Sequence, residues 1–217
     1  MVEDNSQSIF SKINESYLGE IGDFTAYSFQ TTKVIASGEG GLISCADKDN
    51  LDKIKNYISF GKSKANGLLF NNESGNFKLS ELNAAFALMD LERSFERIER
   101  RRYLDSIYKQ KLNSNFCYYL ESPKGNVPSF YKTILMSKNN KIRSKIEEAF
   151  KSNKISMTGY VYKYPLNLQP RIINNSKYIE RSLPNNDEFA NIHFTPPNYP
   201  ELQTHQVESI VELLNSL

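Results

Sequence analysis

Apolar residues recur every three or four positions along several stretches of the chain, as in a helix with one buried face. This spacing predicts helices over residues 49–60, 80–112, 141–151 and 203–214. The second stretch is long for a single globular helix. We therefore expect it to bend or break between Arg93 and Phe95.

Short runs rich in aromatic and β-branched residues predict strands instead. These runs cover residues 24–30, 41–45, 129–136 and 155–162. Gly38, Gly40 and Gly41 separate the first two runs and predict a turn there, where positive φ angles are tolerated. A polar stretch from Gly61 to Gly75 predicts a loop.

The first residues, Met1 to Asp4, place two apolar side chains ahead of two acidic ones, as at the end of a buried strand. A typical strand has about five to six residues, so this strand would begin in its own middle. The order of predicted elements indicates an α/β protein with a small α+β unit after the long helix. We expect a partial large domain, a long linking helix and a small C-terminal domain, over residues 1–79, 80–112 and 113–217.

Composition excludes several classes of protein. Of 217 residues, 39% are hydrophobic and 24% charged, which is typical of a globular protein, and the net charge is only +2. This balance predicts neither a nucleic-acid nor a membrane partner. Cys45 and Cys117 lie far apart and the histidines, His193 and His205, have no partner at useful spacing, so we expect no metal site and a reducing cytoplasm.

Candidate chemistry centres on Lys33, which lies between a hydroxyl-rich turn and a glycine-rich turn in SFQTTKVIASGEGG, residues 28–41. Asp4 and Gln7 follow the first predicted strand, and Ser28 ends the next. Open α/β sheets bind ligands at these strand ends. An amine, a carboxylate and hydroxyls suit pyridoxal phosphate, whose aldehyde, pyridine nitrogen and phosphate need such partners.

Three stretches carry a resemblance to a known family: VEDNSQS (2–8), GEIGDFTAYSFQTTKVIASGEGGLISC (19–45) and NFKLSELNAAFALMDLE (76–92). They fit the patterns E-D-x-x-Q, G-x-x-G-D, S-F-x-x-x-K, G-E-G-G and N-x-[RK]-x-[ST]-E-x-x-A-A, in order. The chain resembles the DegT/DnrJ/EryC1/StrS family of pyridoxal-phosphate-dependent sugar aminotransferases. The remainder is similar to this family more loosely.

The resemblance implies a role for five residues. Lys33 would bond covalently to the cofactor aldehyde and move the proton during catalysis, and Asp4 would pair with the pyridine nitrogen. Gln7 would contact the ring hydroxyl and Ser28 the phosphate. Asn76 would reach the cofactor phosphate of a neighbouring subunit. The implied reaction moves an amino group from a donor such as glutamate to a nucleotide-linked keto-sugar.

The resemblance also implies the C-terminal part of a fold-type I pyridoxal-phosphate-dependent transferase. The family's first half, with an aromatic residue over the ring and part of the phosphate site, has no counterpart here, so we expect a truncated or split large domain. Gln30 and Asn167 stand where many members have histidine. A dehydrating relative has histidine in place of Lys33 and is disfavoured.

Three hypotheses remain open at this point. The chain is an aminotransferase, as a homodimer or with a companion N-terminal chain; or a non-catalytic remnant; or a binding or regulatory module without cofactor.

Overall fold

The computed structural model describes residues 1–61, 73–158, 164–174 and 183–217. The chain divides into two compact units. The first unit contains residues 1–99 and 123–131. The second contains residues 100–122 and 132–217.

The secondary structure of the described residues alternates between short strands and longer helices. The first elements are β1 (Val2–Asp4), β2 (Lys12–Ile13), β3 (Ser16–Tyr17), β4 (Phe24–Ser28), β5 (Gly41–Cys45), α1 (Lys48–Ile58), α2 (Glu81–Glu92) and α3 (Ser94–Lys111). They are followed by β6 (Cys117–Tyr119), β7 (Asn126–Val127), β8 (Leu135–Ser137), α4 (Asn140–Ser152), a 3₁₀ turn (Leu166–Leu168), α5 (Pro170–Ile173), α6 (Pro184–Ile192), β9 (His193–Phe194) and α7 (Thr204–Ser216).

The first unit contains a three-stranded sheet in the order β1-β4-β5. β1 runs parallel to β4, with Asp4 opposite Ala26, and β5 runs antiparallel to β4, with Gly41 opposite Ser28. The strands predicted at the N-terminus, at 24–30 and at 41–45 are therefore present. A second small sheet, β3-β2-β7, adds to this unit a segment that follows α3 in sequence.

The first two helices begin at polar caps. Asp47 accepts a hydrogen bond from the Asn50 N–H at 2.7 Å to start α1, and Ser80 accepts one from the Asn83 N–H at 3.2 Å to start α2. The predicted long helix breaks at Arg93, where α2 ends and α3 begins. The break lies within the predicted interval.

The second unit has a large apolar core around the antiparallel sheet β6-β8-β9. One side of α3, α4 and α7 contributes to it, as helical spacing requires. Fully buried members are Leu104, Tyr108, Leu135, Ile146, Phe150, Val207 and Leu214. The predicted helices at 141–151 and 203–214 are α4 and α7, each within two residues of its expected ends.

Two predicted strands are wrong in whole or in part. Of residues 129–136, only the last two belong to a strand, β8. The backbone turns at Phe130, which has a φ of 51°, and this turn prevents an extended run. In the run 155–162, Thr158 forms an isolated bridge with Thr195 and the residues just before it are not in a strand. Residues 159–162, and 62–72 of the predicted loop, lie outside the described residues.

Within the described ranges, no helix combines the length and apolar character needed to cross a membrane. The same residues contain no cluster of three or more histidine, cysteine, aspartate or glutamate side chains suited to a metal ion.

Candidate active site

Two of the predicted residues end neighbouring parallel strands. Asp4 is the last residue of β1 and Ser28 the last of β4. Asp4 is paired with Ala26, two residues before Ser28, and alternate residues of a strand point to the same face. The register therefore directs the carboxylate and the hydroxyl to one face at one end of the sheet.

The Asp4 carboxylate is held in its ionised form. The Ser6 hydroxyl donates to Asp4 Oδ1, and the Ser6 backbone N–H donates to the same oxygen at 3.0 Å. These two bonds, helped by the nearby Lys33 ammonium, keep the pKa of Asp4 below its ordinary value. The structure thus brings Asp4 and Lys33 close enough to interact electrostatically.

Lys33 lies in a loop that buried neighbours hold in place. Val34 and Ile35, which follow it, are 3% and 1% exposed, while Lys33 itself is half-buried. The next residue, Ala36, donates its N–H to the Asp90 carboxylate on α2 at 2.8 Å. Packing and this hydrogen bond fix the backbone, so the Lys33 side chain extends from a defined point.

The glycine-rich turn closes the other side of the loop. Thr31 donates both its N–H and its hydroxyl to the Gly38 carbonyl, each at 2.8 Å, and Gly38 has a φ of 90°. Phe29 donates to the Gly40 carbonyl at 2.9 Å, which continues the ladder of β4 and β5. The predicted turn is therefore a closed loop at the end of a hairpin, with Lys33 near its tip.

Gln30 and Thr32 shape the turn before Lys33. The Gln30 side-chain oxygen accepts from the Thr32 N–H at 2.9 Å and from the Thr32 hydroxyl at 2.7 Å. Lys33 donates its own N–H to the Gln30 carbonyl at 2.8 Å. Gln30 thus acts as a cap for the turn that carries the lysine.

Tyr131 lies beside Lys33, although nothing in the sequence singles it out. The Lys33 ammonium is 5.2 Å from the centre of the Tyr131 ring, a cation–π distance. The Tyr131 hydroxyl is 3.1 Å from the Thr32 hydroxyl. No motif includes Tyr131, and the strand predicted at 129–136 would have placed it in a sheet.

Glu3 links two of the sequence motifs through hydrogen bonds. Its carboxylate accepts backbone N–H bonds from Gly19 at 2.8 Å, Ile21 at 3.1 Å and Gly22 at 2.5 Å. These bonds, that from Gly22 foremost, keep the pKa of Glu3 below its ordinary value. The glutamate of E-D-x-x-Q therefore holds the loop of G-x-x-G-D, and Asp4 beside it is left for other partners.

Three further residues singled out in the sequence, Gln7, Asn76 and Asn167, lie outside the lysine loop. Gln7 is exposed in the turn after β1. Asn76 is exposed and forms an antiparallel bridge with Ser59 elsewhere in the first unit. Asn167, in the second unit, donates to the Asp187 carboxylate at 3.3 Å and accepts from the Asn186 amide at 3.1 Å.

The residues present fit pyridoxal phosphate. A carboxylate that stays ionised suits a protonated pyridine nitrogen, and Lys33 supplies an amine within its electrostatic reach. The Ser28 hydroxyl is half-buried at the strand end, and the backbone of the lysine loop follows it directly. Hydroxyls and backbone N–H groups in such turns are common phosphate ligands.

An ionised acid at a strand end of an α/β sheet, an amine in the loop after the next strand and a second, α+β unit define part of a fold-type I pyridoxal-phosphate-dependent transferase. The family model of the DegT/DnrJ/EryC1/StrS aminotransferase family matches residues 1–215. The chain belongs to this family.

Individual relatives agree in fold and in extent. GDP-perosamine synthase of Escherichia coli O157:H7 is 26% identical over 215 residues, which are 99% of this chain and 57% of that enzyme. A DegT/DnrJ/EryC1/StrS aminotransferase from Brucella abortus matches 99% of the chain with a TM-score of 0.89 at 23% identity. The PLP form of Spr1654, a proposed sugar aminotransferase from Streptococcus pneumoniae, also gives 0.89, at 19% identity over 99% of the chain. The chain spans 56% of each solved chain.

Proposed function

We propose that this chain carries the lysine-bearing part of a pyridoxal-phosphate-dependent aminotransferase active site. The observation that supports this most directly is that Lys33, in the loop after β4, lies within electrostatic reach of Asp4, the last residue of β1. The amino acceptor is a nucleotide-linked keto-sugar, by analogy with the GDP-perosamine synthase relative. The donor is an amino acid such as glutamate.

Each side chain has a separate task in this proposal. Bound pyridoxal phosphate supplies an aldehyde and an electron-withdrawing ring, which together allow an amino group to be passed on. Asp4 holds the proton of the pyridine nitrogen, and Ser6 keeps Asp4 ionised. Lys33 anchors the aldehyde and then moves a proton at the substrate carbon as general base and acid.

The other predicted ligands complete the cofactor site. Ser28 donates to the phosphate and Gln7 to the ring hydroxyl. Asn76 serves a neighbouring subunit, which fits its exposed position. We propose a homodimer, or assembly with a companion chain corresponding to the part of the relatives that this chain does not span.

Covalent capture tests the proposal directly. The purified chain is mixed with pyridoxal phosphate, reduced with borohydride, and digested to locate the modified lysine by mass spectrometry. We expect modification concentrated on Lys33 and lost in Lys33→Arg. Lys12→Arg is a matched control, because Lys12 also lies over an aromatic ring, Tyr17 at 4.5 Å, but is not a predicted ligand.

The outcome separates the alternatives. Modification spread evenly over surface lysines would reject cofactor chemistry and favour a non-catalytic protein on the same fold. A positive result leads to a second assay, in which GDP-linked and dTDP-linked keto-sugars are supplied with glutamate. Formation of an amino-sugar with either one assigns the nucleotide preference.

A further inference from the structure

The segment that carries Tyr131 belongs to the first unit although it is separated in sequence from residues 1–99, which form the rest of that unit. β7 pairs with β2, with Val127 opposite Lys12. Just after β7, the Ser129 N–H donates to the Ser11 hydroxyl at 3.0 Å, and both residues are buried. These contacts give the following residues a fixed starting point beside the lysine loop.

The backbone then adopts an unfavourable conformation. Phe130 has a φ of 51°, in the left-handed region that residues with a Cβ avoid. Such strain persists only where the surroundings impose it, and it is concentrated at functional sites. Here the turn at Phe130 directs the next residue, Tyr131, toward Lys33.

Hydrogen bonding fixes the orientation of the tyrosine. The single hydroxyl hydrogen of Thr32 is used in its bond to the Gln30 side-chain oxygen at 2.7 Å. Thr32 must therefore accept at its 3.1 Å contact with Tyr131, and the Tyr131 hydroxyl is the donor. This hydrogen bond holds the Tyr131 ring at its hydroxyl, and the face of the ring lies toward the Lys33 ammonium, 5.2 Å from the ring centre.

We propose that Tyr131 is a positioning residue that holds the Lys33 side chain whenever its amine is not bonded to the cofactor. The inference rests on the proposed function. A free lysine side chain has several rotatable bonds and a strongly hydrated ammonium, so it would otherwise move into solvent. The aromatic face keeps the ammonium near Asp4, from where the amine can return to the reacting atoms.

Cofactor-free protein provides a test that does not depend on activity. Ring currents of Tyr131 shift the NMR signal of the Lys33 ε-methylene group, which a Lys33→Met variant assigns. We expect the shift to be kept in Tyr131→Phe, which retains the ring, and lost in Tyr131→Leu. An unchanged signal in Tyr131→Leu would overturn the proposal.

Chemical reactivity gives a second readout on the same proteins. Peptide mass spectrometry follows the rate at which a small amine-reactive reagent labels Lys33. Loss of the cation–π contact should raise this rate about two- to fivefold in Tyr131→Leu, the range expected for a partly exposed pair. Tyr17→Leu is the control, since it should speed labelling of Lys12 and leave Lys33 unchanged.

The reaction itself separates this inference from the proposed function. In an active preparation, Tyr131→Leu should lower kcat and leave the KM for the sugar unchanged, because the ring acts on Lys33 and not on the substrate. A lower kcat in Tyr131→Phe equal to that in Tyr131→Leu would assign the effect to the hydroxyl and reject the ring. Failure of cofactor capture with normal NMR shifts would reject the function and leave the Tyr131–Lys33 contact established.

Discussion

The two compact units differ in what holds them together. The second unit has an apolar core in which Leu104, Phe150 and Leu214 are at most 1% exposed. In the described part of the first unit, the buried apolar cluster is small and consists of Phe29, Ile35 and Ala87. Polar contacts, such as those of Glu3 and Asp90, hold the loops of this unit in addition to this packing. The unit with the candidate site thus relies on directed hydrogen bonds as well as on packing, and the other relies on burial.

Two aspartates show the consequence for chemistry. Asp4 is exposed and hydrogen-bonded by Ser6, and its pKa is lowered. Asp105 is 2% exposed in the second unit, where Thr133 and Tyr119 each donate to it at 2.6 Å. Burial outweighs those bonds and raises the pKa of Asp105 from 3.8 to about 6. The pKa of an aspartate is therefore lowered at the candidate site and raised in the core of the second unit.

The largest effect should come from the core of the second unit. Phe150 packs edge-on against Phe194 with ring centres 6.2 Å apart. Phe150→Ala should lower the free energy of unfolding by about 3–5 kcal/mol through lost burial and the cavity left behind. Urea unfolding followed by circular dichroism measures this.

The matched control lies in the first unit. Phe86, on α2, is 50% exposed, and Phe86→Ala should change stability by no more than about 0.5 kcal/mol. A cost comparable to that of Phe150→Ala would contradict the contrast between the units.

The next effect is the pH dependence caused by Asp105. Because its pKa is raised to about 6 in the folded protein, stability from this group is greatest at low pH and is lost as pH rises through 4 to 6. The shift corresponds to about 3 kcal/mol. Asp105→Asn removes the titration, so its stability relative to wild type should increase by most of this amount between pH 4 and 8.

Urea unfolding at a series of pH values tests the sign as well as the size. Glu148→Gln removes an exposed carboxyl from α4 in the same unit and serves as control. If the difference between Asp105→Asn and wild type were flat across this range, Asp105 would not be a buried, neutralised acid.

The same contrast explains how far the sequence could predict the fold. Helices with one buried apolar face, such as α4 and α7, are predicted within two residues, because their periodicity records burial directly. Two-residue strands such as β2 and β7 leave no periodic signal, and their pairing is set by contacts distant in sequence. The strand predicted at 129–136 was wrong because aromatic content does not reveal the left-handed turn at Phe130.

The residues of the candidate site likewise fall into those that the sequence predicts and those that it does not. The positions of Asp4 and Ser28 at strand ends, and of Lys33 in the loop after β4, could be predicted because all three lie within recognisable motifs; their roles toward a cofactor stay predictions. Tyr131 could not, since it contacts Thr32 from 99 residues away and belongs to no motif. The role of Glu3 was also missed, because a sequence shows that a glutamate is present but not which backbone N–H groups surround it.

A smaller effect should come from the glycines that shape the loops of the first unit. Gly19 has a φ of 108°, and a Cβ there would lie 2.1 Å from the Tyr27 hydroxyl oxygen. Gly38 has a φ of 90° but no heavy atom within 4 Å of an added Cβ. Gly38→Ala should therefore cost only backbone strain, about 1 kcal/mol, and Gly19→Ala about 2–3 kcal/mol.

Thermal and urea unfolding measure the loss of stability in each variant. Gly38→Ala reports backbone strain alone, and Gly19→Ala reports strain together with the clash against Tyr27. Equal costs would mean that Tyr27 moves aside freely and that the Gly19 loop is less tightly held than its bonds to Glu3 indicate.

The smallest effect concerns the exposed aspartate and completes the comparison. Ser6→Ala removes the hydroxyl that contributes most to lowering the pKa of Asp4, so the pKa should rise toward its ordinary value. Carbon-13 NMR titration of the Asp4 carboxyl in cofactor-free protein measures the shift. The Ser8 hydroxyl donates to the Asn5 side-chain oxygen at 2.9 Å, so Ser8→Ala should leave the titration of Asp4 unchanged. Equal responses to the two variants would mean that the strand end as a whole, and not the Ser6 hydroxyl, keeps this carboxylate ionised.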